Sequence, residues 1–379
     1  MDFLAVLISI LTIAVLIIVH EFGHFLFAKF YGFQTPVFGI GLPFGPGINL
    51  FKKWDTQFKF YFALIGGFVA IPELGDETDK EQLEKYENLK PLREFPVHQR
   101  AVVAFGGIAF NILFAFLLAI IMAATVGLPS IKANTSISAF SKESVAQKMQ
   151  MQVGDKIIAI NNQKINSAQE LQSIVKETAN TEILVSYQRK LTSTTTEKEI
   201  VWQSYEIKLN NPGALGVVLG GDKVYKKYPA NPLIWIKEAF VFIAKTLLMM
   251  FISVFAILAS LFQKIFSIFI PSLKETAVNL GDVKGIVGIV QIISHDIKSN
   301  AILLFDFAIL LSLNLAVINL LPIPALDGGH LLFMAVEAIT GKKPSEKLQE
   351  NLVQIGFLFL MTIIVLTTFN DIKNWIFLR

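Results

Sequence analysis

His20-Glu21-Phe22-Gly23-His24 lies near the end of an apolar run from Phe3 to Phe30. On a helix, residues four apart share a face, so the two imidazoles can converge on one metal ion. Glu21 is left beside them as a base toward water. This is the H-E-x-x-H spacing that zinc peptidases use. About 17 residues, or about 26 Å of helix, precede His20, against a bilayer core of about 30 Å. The run therefore reads as a transmembrane helix with its motif at membrane depth. Three ionisable side chains inside such a run are costly and mark function. Asp2 is the one charge before His20, so the basic start of a signal peptide is missing. Lys29 follows the motif, and the positive-inside rule predicts an outer N-terminus and a cytoplasmic far end.

The composition agrees with a membrane protein that carries a polar part. Hydrophobic residues make up 53% and charged residues 17%, below the usual share of about a quarter for soluble domains. A net charge of +3 gives no reason to expect a nucleic-acid partner. There is no cysteine, so a zinc site must be built from His and carboxylate.

Between Gly32 and Arg100 the glycines and Pro46 break any helix. Lys59 to Pro72 alternates apolar and polar residues, which predicts a β-hairpin with a turn or bulge at Gly66-Gly67. Glu73 to Glu94 is charged and reads as a solvated loop. His98 and Arg100 lead into a second apolar run, Ala101 to Leu128. It contains Gly106-Gly107-Ile108-Ala109-Phe110-Asn111, small residues that suit close helix packing, with Asn111 expected to make a packing hydrogen bond.

Pro129 to Val224 is polar and has the size of one small α+β domain. Val153 to Asn161 reads as a turn and strand, Ser167 to Thr178 as a Ser-capped helix, and Ile183 to Tyr187 and Ile200 to Leu209 as strands. A loop from Gly213 enters a last strand. Pro232 to Pro271 is apolar again, interrupted by Lys237, Glu238, Lys245 and Lys264. Asn279 to Ser294 is spaced by glycines and has no clear period.

A further apolar run, Ala301 to Ile323, ends in Asn319-Leu320-Leu321-Pro322-Ile323-Pro324-Ala325-Leu326-Asp327-Gly328-Gly329-His330. The prolines and glycines must break the helix, and Asp327 falls at the break. A carboxylate at such a depth is a natural third metal ligand. Glu337 is the next carboxylate to consider. His330 is expected to support or pack rather than to ligate, His98 and His295 to be ordinary loop residues, and Asp306 to pair within the bundle. Lys342, Lys343 and Lys347 mark a cytoplasmic loop before a last span, Asn351 to Phe369.

The two motifs together resemble the site-2 protease family of intramembrane zinc metalloproteases. The polar insert resembles a PDZ domain in the permuted form whose peptide-binding strand comes last, as in the bacterial branch represented by the regulator of sigma-E protease. The resemblance implies that His20, His24 and Asp327 bind Zn2+ and that Glu21 is the catalytic base. It implies that Asn319 contacts substrate, and that the hairpin with Gly66, Gly67 and Phe68 lends an edge strand to it. It implies cleavage of the transmembrane segments of single-pass proteins, such as anti-sigma factors or remnant signal peptides, in a bacterial inner membrane. Departures from the family pattern are Gly107 where Pro is common, Asn162 where such PDZ domains often have Gly, one PDZ-like domain where many relatives have two, and no Gly-Pro signature near Gly281 to Ile289.

The expected fold is a polytopic α-helical membrane protein with about four transmembrane helices, a membrane-associated β-hairpin and an inserted α+β PDZ-like domain. The division is 1–128 for the first membrane half, 129–224 for the insert, 225–300 for a membrane-associated linker and 301–379 for the second membrane half. His20 and Asp327 must share one depth. The chain between Pro232 and Ala301 must then cross the bilayer an even number of times. Two crossings scarcely fit before Pro271, so this stretch is expected to lie on the outer interface as an amphipathic segment or to dip partway in, with a tight helical hairpin that crosses twice as the alternative. Partners implied are the lipid bilayer and single-pass substrates, with no nucleic acid.

Overall fold

The computed structural model describes residues 3–71, 95–141, 144–192, 200–210, 214–266 and 302–377. The charged loop Glu73 to Glu94, the glycine-spaced stretch Asn279 to Ser294 and His295 lie outside the described residues. The chain divides into two compact units, Met1–Val126 with Lys227–Arg379, and Gly127–Lys226.

In the first unit, α1 (Phe3–Tyr31) is one apolar helix that carries the H-E-F-G-H stretch in its second half. It packs against α2 (Val97–Thr125). The two backbones meet at Gly23 and Gly106, where a Cβ on either residue would overlap the other's carbonyl. Only glycine permits this approach, and it brings the histidine face of α1 onto α2.

Four strands follow α1: β1 (Val37–Leu42), β2 (Ile48–Lys53), β3 (Thr56–Phe60) and β4 (Ala63–Val69). Their order is β2-β3-β1-β4. β1 pairs with β3 in parallel, Phe38 opposite Phe58, and with β4 antiparallel, Phe38 opposite Val69. This corrects the expected hairpin over Lys59 to Pro72. β3 and β4 are consecutive in sequence but flank β1, and Gly66 and Gly67 lie inside β4, where its pairing with β1 shifts register as at a bulge, rather than at a turn. The two-residue hairpin turn is Trp54-Asp55, between β2 and β3, with φ of 51° and 58°. The sheet lies against α1 through a cluster of Phe25, Phe33, Phe38, Val69, Phe95 and Val103. Phe33 and Phe95 stack at 3.8 Å between ring centroids.

The second half of this unit holds α5 (Pro232–Phe266), α6 (Ile302–Leu320), α7 (Asp327–Thr340) and α8 (Glu346–Phe377). α6 ends where the sequence predicts a break. Pro322 and Pro324 interrupt the backbone, Ala325 takes a left-handed φ of 89°, and Asp327 opens α7. α6 and α7 both pack on α2.

Among the described residues, five helices are long and apolar enough to cross a bilayer: Val6–Tyr31, Val97–Thr125, Pro232–Ile257, Ile302–Leu320 and Lys347–Phe369. About four were expected, and the additional one is Pro232–Ile257. α5 is a single unbroken helix of 35 residues that packs on α2 and α6. A helical hairpin inside Pro232 to Phe266 is thereby excluded. The charges that suggested an interfacial segment sit sparsely along it. Lys237 and Glu238 fall near its first turns, and Lys245 near the middle of the apolar stretch Pro232–Ile257.

The second unit is a six-stranded sheet with two helices. β5 (Leu128–Phe140), β6 (Lys156–Ile160), β8 (Glu182–Thr192), β9 (Ile200–Asn210) and β10 (Val217–Lys226) run in the order β10-β5-β6-β8-β9, and β7 (Gln163–Lys164) pairs with β6. α3 (Val145–Lys148) and α4 (Ala168–Glu177) cover it. Ser167 Oγ caps α4 by accepting from the Glu170 amide, and Glu170 Oε2 accepts in turn from the Asn166 amide. The core holds Ile137, Ile157, Ile160, Leu171, Ile183 and Val185. Buried Asp155 takes a two-pronged bond from Arg189, 2.8 Å on each side, which raises the guanidinium pKa further above its ordinary value. Asn161 and Asn162 turn the chain with φ of 48° and 64°. Glycine is the usual residue for such a backbone and Asn the next best, which accounts for Asn162.

Candidate metal centre and active site

His20 and His24 stand one turn apart on α1, both nearly fully buried, with their rings edge to face at 4.8 Å. Their Nε2 atoms are 3.2 Å apart. Asp327, the first residue of α7, points one carboxylate oxygen at both. Its Oδ2 is 3.1 Å from His20 Nε2 and 3.4 Å from His24 Nε2. These are the three donors, among the described residues, that could hold a metal together.

Their spacing fits zinc. A tetrahedron with arms of about 2.0 Å has edges of about 3.3 Å. The protonation pattern fits as well. His24 Nδ1 lies 2.8 Å from the Val103 carbonyl oxygen, which can only accept, so the ring proton sits on Nδ1 and Nε2 presents a lone pair. A His24 Nε2 lone pair beside a carboxylate oxygen is a donor arrangement that a shared cation satisfies. The rings lie directly on α2 at Gly107, where a Cβ would overlap both His24 Nε2 and the edge of the His20 ring. In this packing that overlap leaves no room for a Cβ at 107.

Glu21 follows His20 and so points off the histidine face. Its Oε2 accepts a 3.1 Å hydrogen bond from the Val69 amide at the end of β4. β4 is the edge strand of its sheet among the described residues. Gly67, in the same strand, sits beside Glu21, since a Cβ there would lie 3.8 Å from Glu21 Cγ. Asn319, in the last turn of α6, places Nδ2 3.4 Å from His20 Nε2. The structure thus gathers His20, Glu21, His24, Gly67, Asn319 and Asp327 at one place. Phe68 and Gly66 are on the same strand but turn elsewhere. Phe68 lies over Gly39 of β1, and Gly66 lies against Leu42.

Glu337 is not part of the centre. It accepts a two-pronged bond from Arg100, at 2.9 and 2.6 Å, which holds its carboxyl below the ordinary carboxylate range. His330 packs edge-on to Phe333. Asp306 is buried within α6, away from the donors. One support of the centre was invisible in the sequence, and the other was expected as a hydrogen bond without its partner. The Val103 carbonyl is backbone and carries no side-chain signal. Asn111, expected as a packing residue, lies 3.0 Å from His20 Nδ1.

The family profile described as peptidase family M50 matches residues 8–363. The chain belongs to peptidase family M50. A candidate zinc metalloprotease of Synechocystis is 32% identical over 387 residues, spanning 100% of this chain and 97% of its own length. One of Fusobacterium nucleatum is 30% identical, across 97% of this chain and 98% of its own. The chloroplastic membrane metalloprotease ARASP of Arabidopsis thaliana is 29% identical, across 98% of this chain and 79% of its own. The M50 protein described here is accordingly a metalloprotease with zinc as its metal, and its apolar helices make it an integral membrane protein.

Proposed function

We propose that this M50 peptidase is an intramembrane endopeptidase that cuts the transmembrane segments of single-pass proteins. His20, His24 and Asp327 hold the zinc, and Glu21 is the general base. The observation that carries the reading is the Val69 amide bonded to Glu21. It sets the base at the end of a strand that is the sheet's edge among the described residues, beside membrane-length helices. A helical substrate must be unwound before its backbone can be cut. An edge strand offers the unwound segment a partner for its amides and carbonyls in a place where water cannot supply one.

Bound zinc supplies a polarised carbonyl and an acidified water. Glu21 receives the water's proton and hands it to the departing amine. Asn319 donates toward the substrate from the last turn of α6. β4, through Gly66, Gly67 and Phe68, aligns the scissile stretch. The largely apolar helices around the centre limit the access of bulk water to it.

We read the second unit as a PDZ-like domain of the regulator of sigma-E protease type. Its last strand, β10, lies at the sheet edge, as the permuted form requires. With Lys29 and Lys342 on the cytoplasmic side, parity places this domain outside a bacterial inner membrane. There it would admit substrates already trimmed of their outer domains, among them anti-sigma factors and remnant signal peptides.

The test is Glu21→Gln in the purified, zinc-loaded enzyme with a reporter transmembrane substrate. Zinc content should be unchanged and cleavage should fall by at least a thousandfold, on the scale of losing a general base. Cleavage at the wild-type rate would refute the mechanism.

A further inference from the structure

We infer that Asn111 is a positioning residue for the metal centre: its amide oxygen accepts the Nδ1–H of His20, and so fixes the ring form that offers Nε2 to the metal. The inference rests on His20 being a ligand, as proposed above. His20 Nε2 faces the other two donors, at 3.2 and 3.1 Å, and Nδ1 faces the Asn111 amide at 3.0 Å. A ligating Nε2 must carry a lone pair, so the ring proton belongs on Nδ1. That proton needs an acceptor, and the Asn111 amide is the group at hydrogen-bond distance.

An amide NH2 cannot accept. With Nδ2 toward the ring, the buried Asn111 Oδ1 has no partner. It would also force the His20 proton onto Nε2, where it would block ligation. A half-turn about χ2 exchanges the two atoms without moving the side chain. Oδ1 then takes the Nδ1–H, and ligation and hydrogen bonding agree.

Two further observations show the amide held for this purpose. Asn111 is fully buried in an apolar helix, where an uncommitted polar side chain is costly. Its main-chain carbonyl accepts a 2.8 Å bond from Ser312 Oγ, also fully buried, on α6. The chain His20–Asn111–Ser312 therefore ties α1, α2 and α6 together at the centre. The two histidines are supported differently. His24 uses a main-chain carbonyl that no substitution removes, whereas His20 depends on one side chain. His20 is thus the ligand whose Nδ1 is held by a replaceable side chain.

The experiment measures zinc affinity by chelator competition on the purified full-length protein, with the absorption spectrum of the cobalt-substituted form as a second readout. Asn111→Asp keeps an acceptor and should hold zinc within about threefold of the wild type. Asn111→Leu and Asn111→Ala remove it and should weaken zinc by about tenfold to a hundredfold, the usual effect of losing such a support. The thermal midpoint of each zinc-free protein controls for folding. If Leu does not fold, the Ala and Asp pair decides. An Asp variant that binds zinc worse than the Ala or Leu variant overturns the inference. So does an Ala variant with wild-type affinity and an unchanged cobalt spectrum. His20→Ala, measured in parallel, separates the levels. Loss of zinc there with retention in Asn111→Ala refutes the positioning role alone, whereas retention in His20→Ala refutes the ligand assignment beneath it.

Discussion

At the scale of single residues, the centre depends on where atoms are missing as much as on where they are present. His20 and His24 come from a local rule, the i, i+4 spacing, so they were legible in the sequence. Gly107 was legible only as a small residue. Its role is to be flat, because both imidazoles rest on its backbone. Gly107→Ala should therefore push at least one ring off the donor triangle. Zinc affinity should drop by more than about tenfold, on the scale of disturbing a ligand's support, while far-ultraviolet dichroism stays that of the wild type. Metal analysis after dialysis against a weak chelator reads this directly. Zinc retention equal to the wild type would mean that the rings do not lie on Gly107. The Val103 carbonyl shows the complementary limit. It fixes the tautomer of His24, yet any residue at 103 would supply the same oxygen, so nothing in the sequence points to it.

At the scale of elements, α7 must hold Asp327 against α1 although the break after α6 leaves it only loosely constrained in sequence. Its far end is tied down by Arg100, nearly fully buried at the start of α2, through the two-pronged bond to Glu337. The sequence showed both residues but gave no spacing that joins them, since they lie 237 positions apart. The four-stranded sheet was hidden for the same reason. Alternation reveals strands, but which strand sits between β3 and β4 is decided by β1, far from the hairpin it displaces. Arg100→Ala would leave Glu337 partly buried and unpaired, at a cost of about 2–3 kcal/mol after allowing for its exposure. The thermal midpoint and zinc affinity should both fall. The exchanged pair Arg100→Glu with Glu337→Arg should recover part of each, whereas either single reversal should not. The pair's contribution also has a sign in pH. Arg100 lowers the Glu337 pKa, so the stabilisation is present above the ordinary carboxylate range and is lost as pH falls through the lowered value. Equal loss in the exchanged pair and the single reversals would show that the contact does not position α7.

At the scale of the whole molecule, the second unit is an insert whose ends lie side by side, since Leu128 and Lys226 are partners in the β5–β10 ladder. Replacing Gly127–Lys226 by a short glycine-serine linker should leave the membrane unit folded and active. If the PDZ-like unit is a size filter, this variant should also cut substrates that still carry a bulky outer domain, and unchanged selectivity in an active variant would end that reading. The path of α5 is the larger question. Parity asks for an even number of crossings between the end of the insert and α6, and the sequence alone suggested none. Hydropathy could not tell an interfacial helix from a crossing one, because Lys237, Glu238 and Lys245 suit either. The structure tips the balance toward crossing. α5 runs unbroken for 35 residues, about 52 Å, and packs on α2 and α6, which are themselves membrane-length helices. The chain has no cysteine, so a single one can be placed anywhere without a background. Asn231→Cys precedes α5, and Ser260→Cys lies about 42 Å further along its axis, beyond the thickness of the apolar core. In sealed vesicles a membrane-impermeant thiol reagent should reach Asn231→Cys from the outer side and Ser260→Cys from the cytoplasmic side. Labelling of both from the outer side would restore the interfacial helix and remove the need for a second crossing.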